Sequence, residues 1–294
     1  MKIKLGFAEF FAFYRSGEKS MNEEIFGTEI ITGKSNSTIV KINKLVNKKY
    51  RNEYELFMCD GTKLVKEAIA FGANIKYIVL REDFSVEKDL EIAIKKCREN
   101  GTNILVVSEQ IFAKISTENA PQGIIAICSF LKDIHVRSKI AKNIQKNEKI
   151  MMFESVRDPG NIGTIIRNAV AFGLDRIILS SDCADIYSQK VVRAAMGAIF
   201  KLKIDIVDDF IGTINELKAQ NKEILSATLG EKSLILGEKA LNSNTVVIIG
   251  NEGHGLSKNV ISISNDTIFI PIKENTESLN AAMASVIFMW ELSK

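Results

Sequence analysis

From about residue 53 the chain alternates short β-rich apolar runs with stretches of helical period. Glu55 to Cys59 reads as a strand, Lys63 to Phe71 as a helix with Thr62 as its N-cap, and Ile75 to Leu80 as the next strand. A second round follows: a helix over Glu87 to Glu99 stopped by Gly101, a strand over Asn103 to Val107, and a last strand from Gly123 to Ser129. Strands that alternate with helices predict a small α/β unit.

Residues 131–149 break that pattern. Lys132, Arg137, Lys139, Lys142, Lys146 and Lys149 come with little apolar periodicity, which predicts a linker. Alternation resumes at Ile150 to Phe153 and continues through Arg176 to Leu179, Glu223 to Ala227, Thr245 to Ile249 and Thr267 to Ile270. These five strands predict a mostly parallel sheet. The expected division is an N-terminal extension over 1–30, a first α/β unit over 31–130, a linker over 131–149 and a second α/β unit over 150–294, with no internal repeat.

Composition supports two packed cores rather than disorder: the 294 residues are 46% hydrophobic and 26% charged and include only three prolines. Cys59, Cys97, Cys128 and Cys183 lack the paired spacing of a zinc or redox motif, so reduced thiols, a cytoplasmic location and no metal are expected. No apolar run approaches the roughly 18 residues that span a bilayer, so no membrane role is expected. Phe7, Phe10, Phe11, Phe13 and Tyr14 cluster near the start, but Glu9 interrupts them and no small-residue cleavage site follows. That pattern argues against a secretory signal, and Met21 offers an alternative start.

Charge is uneven. Residues 1–150 carry 25 Lys and Arg against 19 Asp and Glu, while residues 151–294 carry 14 against 17. Lys34, Lys41, Lys44, Lys48, Lys49 and Arg51 occur with no acid between them, a run that suits a phosphate backbone as well as an ordinary solvated face.

Three segments carry chemistry. In Asp158 to Gly173, helical spacing gathers Ile162, Ile165, Ile166, Ala169 and Val170 on one side and Asn161, Thr164, Arg167 and Asn168 on the other. Exposed helix faces usually carry Lys and Glu, so this small set points to binding. In Thr245 to Ser257 an apolar strand runs into a loop with Gly250, Gly253 and Gly255, lacking both the G-x-G-x-x-G order and the P-loop pattern. Glu252 there either orients a ligand or caps the loop, and His254 reads as a turn residue. In Ile270 to Trp290, Thr276 or Ser278 can cap a helix over Ala281 to Trp290 that is apolar almost all round, which predicts burial in a core or a subunit interface.

In this order and spacing, Asn161 to Asn168, Gly250 to Leu256 and Ile270 to Asn280 resemble the three signature segments of the SpoU/TrmH family of RNA 2′-O-ribose methyltransferases. Ile31 to about Phe130 is similar, more loosely, to the substrate-binding domain often fused ahead of that core, through Lys48-Lys-Tyr-Arg51 and the Asp60-Gly61 turn. The resemblance implies a trefoil-knotted methyltransferase domain behind a smaller RNA-binding domain. It implies that Gly250, Ile270 and Leu279 hold S-adenosylmethionine, and that Asn161, Arg167, Glu252, Ser278 and Asn280 surround the reacting ribose. It also implies a homodimer acting on RNA, with ribosomal RNA first. A transfer RNA 2′-O-methyltransferase and a non-catalytic RNA-binding ribosome-assembly factor are the alternatives. Glu274-Asn275, Gln189 and Ala195 depart from the commonest pattern and bear on substrate choice and loop geometry.

The resemblance implies that Arg167 activates the ribose hydroxyl. A guanidinium stays protonated, which argues for phosphate binding and stabilisation of the developing alkoxide rather than for a base.

Overall fold

Strands made of continuous apolar residues must be covered on both faces, and the two halves of the chain each build their sheet that way. The computed structural model describes residues 20–136, 144–230, 233–251, 253–273 and 278–294. In the first half, α1 (Met21–Phe26), β1 (Ile30–Ile31), α2 (Ser37–Lys44), α3 (Lys48–Tyr54), β2 (Leu56–Asp60), α4 (Thr62–Ala70), β3 (Ile75–Arg81), α5 (Lys88–Glu99), β4 (Asn103–Val107), α6 (Glu109–Ile115) and β5 (Ile124–Ser129) form a five-stranded sheet in the order β1-β4-β3-β5-β2 with helices around it.

The second half contributes β6 (Ile134–Val136), β7 (Ile150–Phe153), α7 (Pro159–Ala171), β8 (Arg176–Ser180), α8 (Gln189–Ala195), β9 (Lys203–Val207), α9 (Phe210–Ala219), β10 (Glu223–Ala227), β11 (Leu234–Ile235), β12 (Thr245–Ile249), α10 (Lys258–Ile263), β13 (Asp266–Phe269) and α11 (Ala281–Ser293). Among the described residues its sheet has eight strands in the order β11-β13-β10-β12-β7-β8-β9-β6, every pairing parallel. Parallel strands need crossovers, and the helices between them supply these.

Four expectations about elements change. Residues 20–30 are built into the first unit: Asn22 is fully buried and its amide donates to Arg81 O at 2.8 Å and Phe84 O at 2.9 Å, Phe26 joins the core, and Ile30–Ile31 pair with Val106–Val107. The segment read as a linker holds β6, an edge strand of the second sheet, because three residues are too few to show a period. Residues 137–143 of that segment lie outside the described residues. Gly61 precedes α4 with φ 103°, so Thr62 is the first helical residue and its N–H donates to Gln122 Oε1 at 2.8 Å. Finally, β9 and β11 were not read from the sequence, since Lys203–Val207 carries two charges and Leu234–Ile235 is only two residues long.

The two units share one apolar cluster, in which Phe57, Leu64 and Ala126 join Met151, Ile165 and Tyr187. Tyr187 is the hinge pin of this contact. Its ring stacks on Phe130 with centroids 4.0 Å apart and lies 4.8 Å from Phe57, while its hydroxyl accepts from Leu131 N at 2.9 Å. Burial pushes that phenol far above its ordinary value, so it stays a neutral acceptor.

Candidate active site

The first motif is fixed at its start by a cap. Asp158 Oδ1 accepts from Asn161 N at 2.8 Å, and Pro159 sits at the first helical position where no N–H is needed. Ile162, Ile165, Ile166 and Ala169 are fully buried under α7, each isoleucine contributing about 2 kcal/mol by leaving water. Gly163 lets α8 approach: a Cβ there would overlap Ala194. On the opposite face Asn168 turns back to donate to Thr164 O at 2.8 Å, and Arg167 is exposed with no partner among the described residues.

The glycine loop closes on itself. Asn251 and Gly255 exchange backbone hydrogen bonds at 3.1 and 2.9 Å, and a side chain at Gly250 would overlap the Gly255 backbone, so this position admits only glycine. Asn251 Oδ1 accepts from Gly253 N and His254 N, its amide donates to Ser155 O at 2.8 Å, and Ser257 N donates to Glu154 Oε2 at 2.8 Å. The loop is thereby docked on the turn that follows β7 and leads into α7. Glu252 lies outside the described residues, as do Glu274 to Glu277.

The third motif ends on Asn280, the actual cap of α11, rather than on Thr276 or Ser278. Its Oδ1 accepts from Ala282 N at 2.9 Å and Met283 N at 3.2 Å, leaving its Nδ2 to donate to Asn161 Oδ1 at 3.0 Å. One amide therefore starts the last helix and bridges to the start of α7, 119 residues earlier. Ser278 is exposed just before it, and Ile270 and Leu279 are half-exposed apolar side chains. All three motifs thus gather beyond the C-terminal ends of β7, β12 and β13, where parallel sheets open a crevice for ligands.

Sequence reasoning missed a second polar group beside this edge. Ser155 has a left-handed backbone, φ 57°, its Oγ donates to Asp182 Oδ2 at 2.6 Å, and its N–H donates to Ser180 Oγ at 2.8 Å. Arg157 donates to the same carboxylate at 3.0 Å. Burial pushes the Asp182 carboxyl up, but these donors outweigh it and hold the acid below its ordinary value. Arg157, immediately before Asp158-Pro-Gly, was the available signal.

Of the six basic residues grouped by sequence, Arg51 is removed from the surface. It is 5% exposed, donates to Leu45 O at 2.6 Å and Val46 O at 2.7 Å, and pairs with Asp185 at 2.5 Å. It lies on the inward side of α3, where it ties the first unit to the second. Lys34, Lys44, Lys48 and Lys49 are exposed and Lys41 is half-buried. Gln189, a departure from the family pattern, also faces the first unit, bonding Thr117 and the Met58 sulfur.

Among the described residues no group of three or more metal-ligating side chains gathers, and no helix is long and apolar enough to cross a membrane. Residues 148–290 match the family described as SpoU rRNA Methylase, and residues 36–126 match the MRM3-like substrate binding domain. The chain is 27% identical over 262 residues to the Bacillus subtilis 23S rRNA (guanosine(2553)-2′-O)-methyltransferase RlmP, covering 89% of this chain and 98% of that protein. It is 25% identical over 305 residues to rRNA methyltransferase 3, mitochondrial, of Homo sapiens, covering 86% of this chain and 70% of that protein. Among solved structures, the AdoMet-bound rRNA methyltransferase from Sinorhizobium meliloti superposes with a TM-score of 0.78 at 29% identity, covering 90% of this chain and 97% of that one.

Proposed function

The chain belongs to the SpoU/TrmH family of RNA methyltransferases, and from that premise we propose that it methylates a ribose 2′-hydroxyl of ribosomal RNA, using S-adenosylmethionine, as a cytoplasmic homodimer. The observation that carries this reading is the Asn280–Asn161 hydrogen bond, which joins the first and third motifs at the open edge of the sheet. A binding protein has no need to hold two distant amides in one fixed orientation beside an exposed arginine.

The residues fit the cofactor. Gly250 is free of a side chain, and Ile270 and Leu279 remain half-exposed where a closed core would have covered them. Apolar faces with backbone groups between them suit an adenosyl moiety. When bound, S-adenosylmethionine supplies an electrophilic methyl on a sulfonium sulfur.

The chain's own part is alignment and charge. The ribose oxygen gains negative charge as its hydroxyl proton passes to a base or water, and this oxygen would then displace the methyl from sulfur, leaving a neutral thioether. Arg167 grips the adjacent phosphate through two N–H donors and stabilises this charge. Asn161, Ser278 and Glu252 complete the ribose surroundings, with Asn280 fixing Asn161. The basic side chains Lys34, Lys41, Lys44, Lys48 and Lys49 hold RNA phosphates. Trefoil threading belongs to the same reading, supported by the return of α11 from beyond the edge-side β13 to pack on α7 and β12.

The test is titration calorimetry with S-adenosylmethionine, followed by transfer of labelled methyl to ribosomal RNA and mapping of 2′-O-methyl positions. Saturable cofactor binding and one ribosomal site are expected. Absence of cofactor binding would sink the proposal in favour of a non-catalytic RNA-binding factor, and labelling of transfer RNA alone would reassign the substrate.

A further inference from the structure

We propose that Tyr50 and Tyr54, with the cleft beside them, form a stacking site for an unpaired base of single-stranded RNA, whose flanking phosphates lie on Lys41 and Lys44. The inference rests on the reading of RNA as substrate and adds the site that receives it.

Tyr50 and Tyr54 lie four residues apart on α3 and therefore share one face, with ring centroids 5.9 Å apart and planes 30° from parallel. Lysines cover the rings: Lys41 Nζ lies 4.9 Å from the Tyr54 centroid, Lys44 Nζ 5.1 Å and Lys49 Nζ 5.7 Å from that of Tyr50. Exposed contacts of this kind are weak beside base–aromatic stacking, and a lysine stem is flexible enough to swing from ring to phosphate.

Next to Tyr54 opens a cleft of about 400 Å³ that Lys41, Lys76, Tyr77 and Asn103 also line, large enough for a small planar ligand. Tyr54 and Tyr77 pack their inner sides against the core cluster of Ile39, Val79 and Ile127, so both rings are held before anything binds. Glu55 is the one acid of the lining. It disfavours phosphate inside the cleft and accepts from an amino edge, which suits a base inside and the backbone outside.

The charge is uncommitted. Lys41, Lys44, Lys48, Lys49 and Lys76 have no acidic partner among the described residues. In the cleft between the units, by contrast, Lys66 and Lys201 are paired with Glu87 and Glu67. Arg51, between the two tyrosines in sequence, points the other way into Asp185, so the helix that carries the rings is pinned to the methyl-transferring unit. A base stacked there is held at a fixed distance from the reaction edge.

The experiment measures binding of a fluorescent ten-nucleotide single-stranded RNA to the full chain by anisotropy, with Tyr54→Leu and Tyr54→Phe compared. Leucine keeps apolar packing and removes the aromatic face. Tyr54→Leu is expected to weaken binding by about 5- to 150-fold, the range for one lost stack, and Tyr54→Phe to bind like wild type. Lys41→Ala should lower the slope of log affinity against log salt by about 0.7, one phosphate contact to a single strand. Wild-type affinity in Tyr54→Leu would overturn the proposal, as would equal losses in Leu and Phe. Failure of the chain to bind S-adenosylmethionine, with the Tyr54-dependent affinity intact, would remove the methyl-transfer reading and support this one. Intact methyl transfer with affinity indifferent to Tyr54 would do the reverse.

Discussion

Asn280 uses both ends of its amide, the oxygen on the first N–H groups of α11 and the nitrogen on Asn161. The two roles separate in Asn280→Ser, because serine caps a helix about as well but is too short to bridge. Stability should change by less than about 0.5 kcal/mol while methyl transfer falls about tenfold or more, read from melting and turnover together. A loss of stability with unchanged turnover would make Asn280 a cap and nothing else. Arg167→Lys keeps the charge and loses the two-pronged geometry, so turnover should fall by about 10²-fold with RNA affinity nearly unchanged. Turnover near wild type would remove the proposed bidentate role. At this scale residue type and helical spacing pointed to Asn161 and Arg167, and the family resemblance to Asn280, but nothing in the sequence pointed to the inward turn of Arg51, whose partner Asp185 is 134 residues away.

Among elements, the edge of the sheet opposite the site is held by charge. Arg176 enters β8 3% exposed, donates to Glu148 at 3.0 Å and pairs with Asp205, and Lys203 meets Glu148 at 2.6 Å. Burial pushes the Glu148 carboxyl up, yet Arg176 and Lys203 outweigh it and leave it below its ordinary 4.5. A carboxyl lowered on folding contributes stability that is complete above its unfolded value and disappears as pH falls through the folded one. Glu148→Gln should therefore cost about 3 kcal/mol at neutral pH and flatten the decline of stability below pH 4.5, measured by denaturant midpoints across pH. An unchanged acid limb would show that Glu148 is not responsible. Burial raises Asp60 above its ordinary value despite Ser116 and Arg193, so its effect has the opposite sign, its contribution being complete below 3.8 and lost as pH rises from there through the raised folded value.

For the whole molecule, the last helix is the element whose surroundings are incomplete. Met283, Ile287 and Trp290 recur at i, i+4 and i+7, and Met283 and Trp290 are 51% and 53% exposed, with Trp290 edge-on to Phe172 at 6.1 Å. The proposed homodimer would cover this stripe, which the fold of one chain leaves half open. Trp290→Glu should then shift the chain from dimer to monomer at micromolar concentration in sedimentation velocity. A wild-type chain that sediments as a monomer would end the dimer reading.

The sequence by itself determined the α/β alternation, the strands Asn103–Val107, Ile150–Phe153, Glu223–Ala227 and Thr245–Ile249 to the residue, and the buried side of α7. These follow from local periodicity, since an apolar run or a 3.6-residue stripe is legible wherever it lies. It did not determine the edge strands β6 and β11, which are too short to carry a period, nor the incorporation of residues 20–30 into the first unit, which depends on distant carbonyls at Arg81 and Phe84. Only tertiary structure decided that Asn280 meets Asn161, that Arg51 is a fastener between units, and that Tyr50 and Tyr54 stand under lysines that have no acidic partner among the described residues. Each is a contact set by how the sheets, helices and loops pack on one another, and sequence spacing fixes which face a residue takes but not what that face will meet.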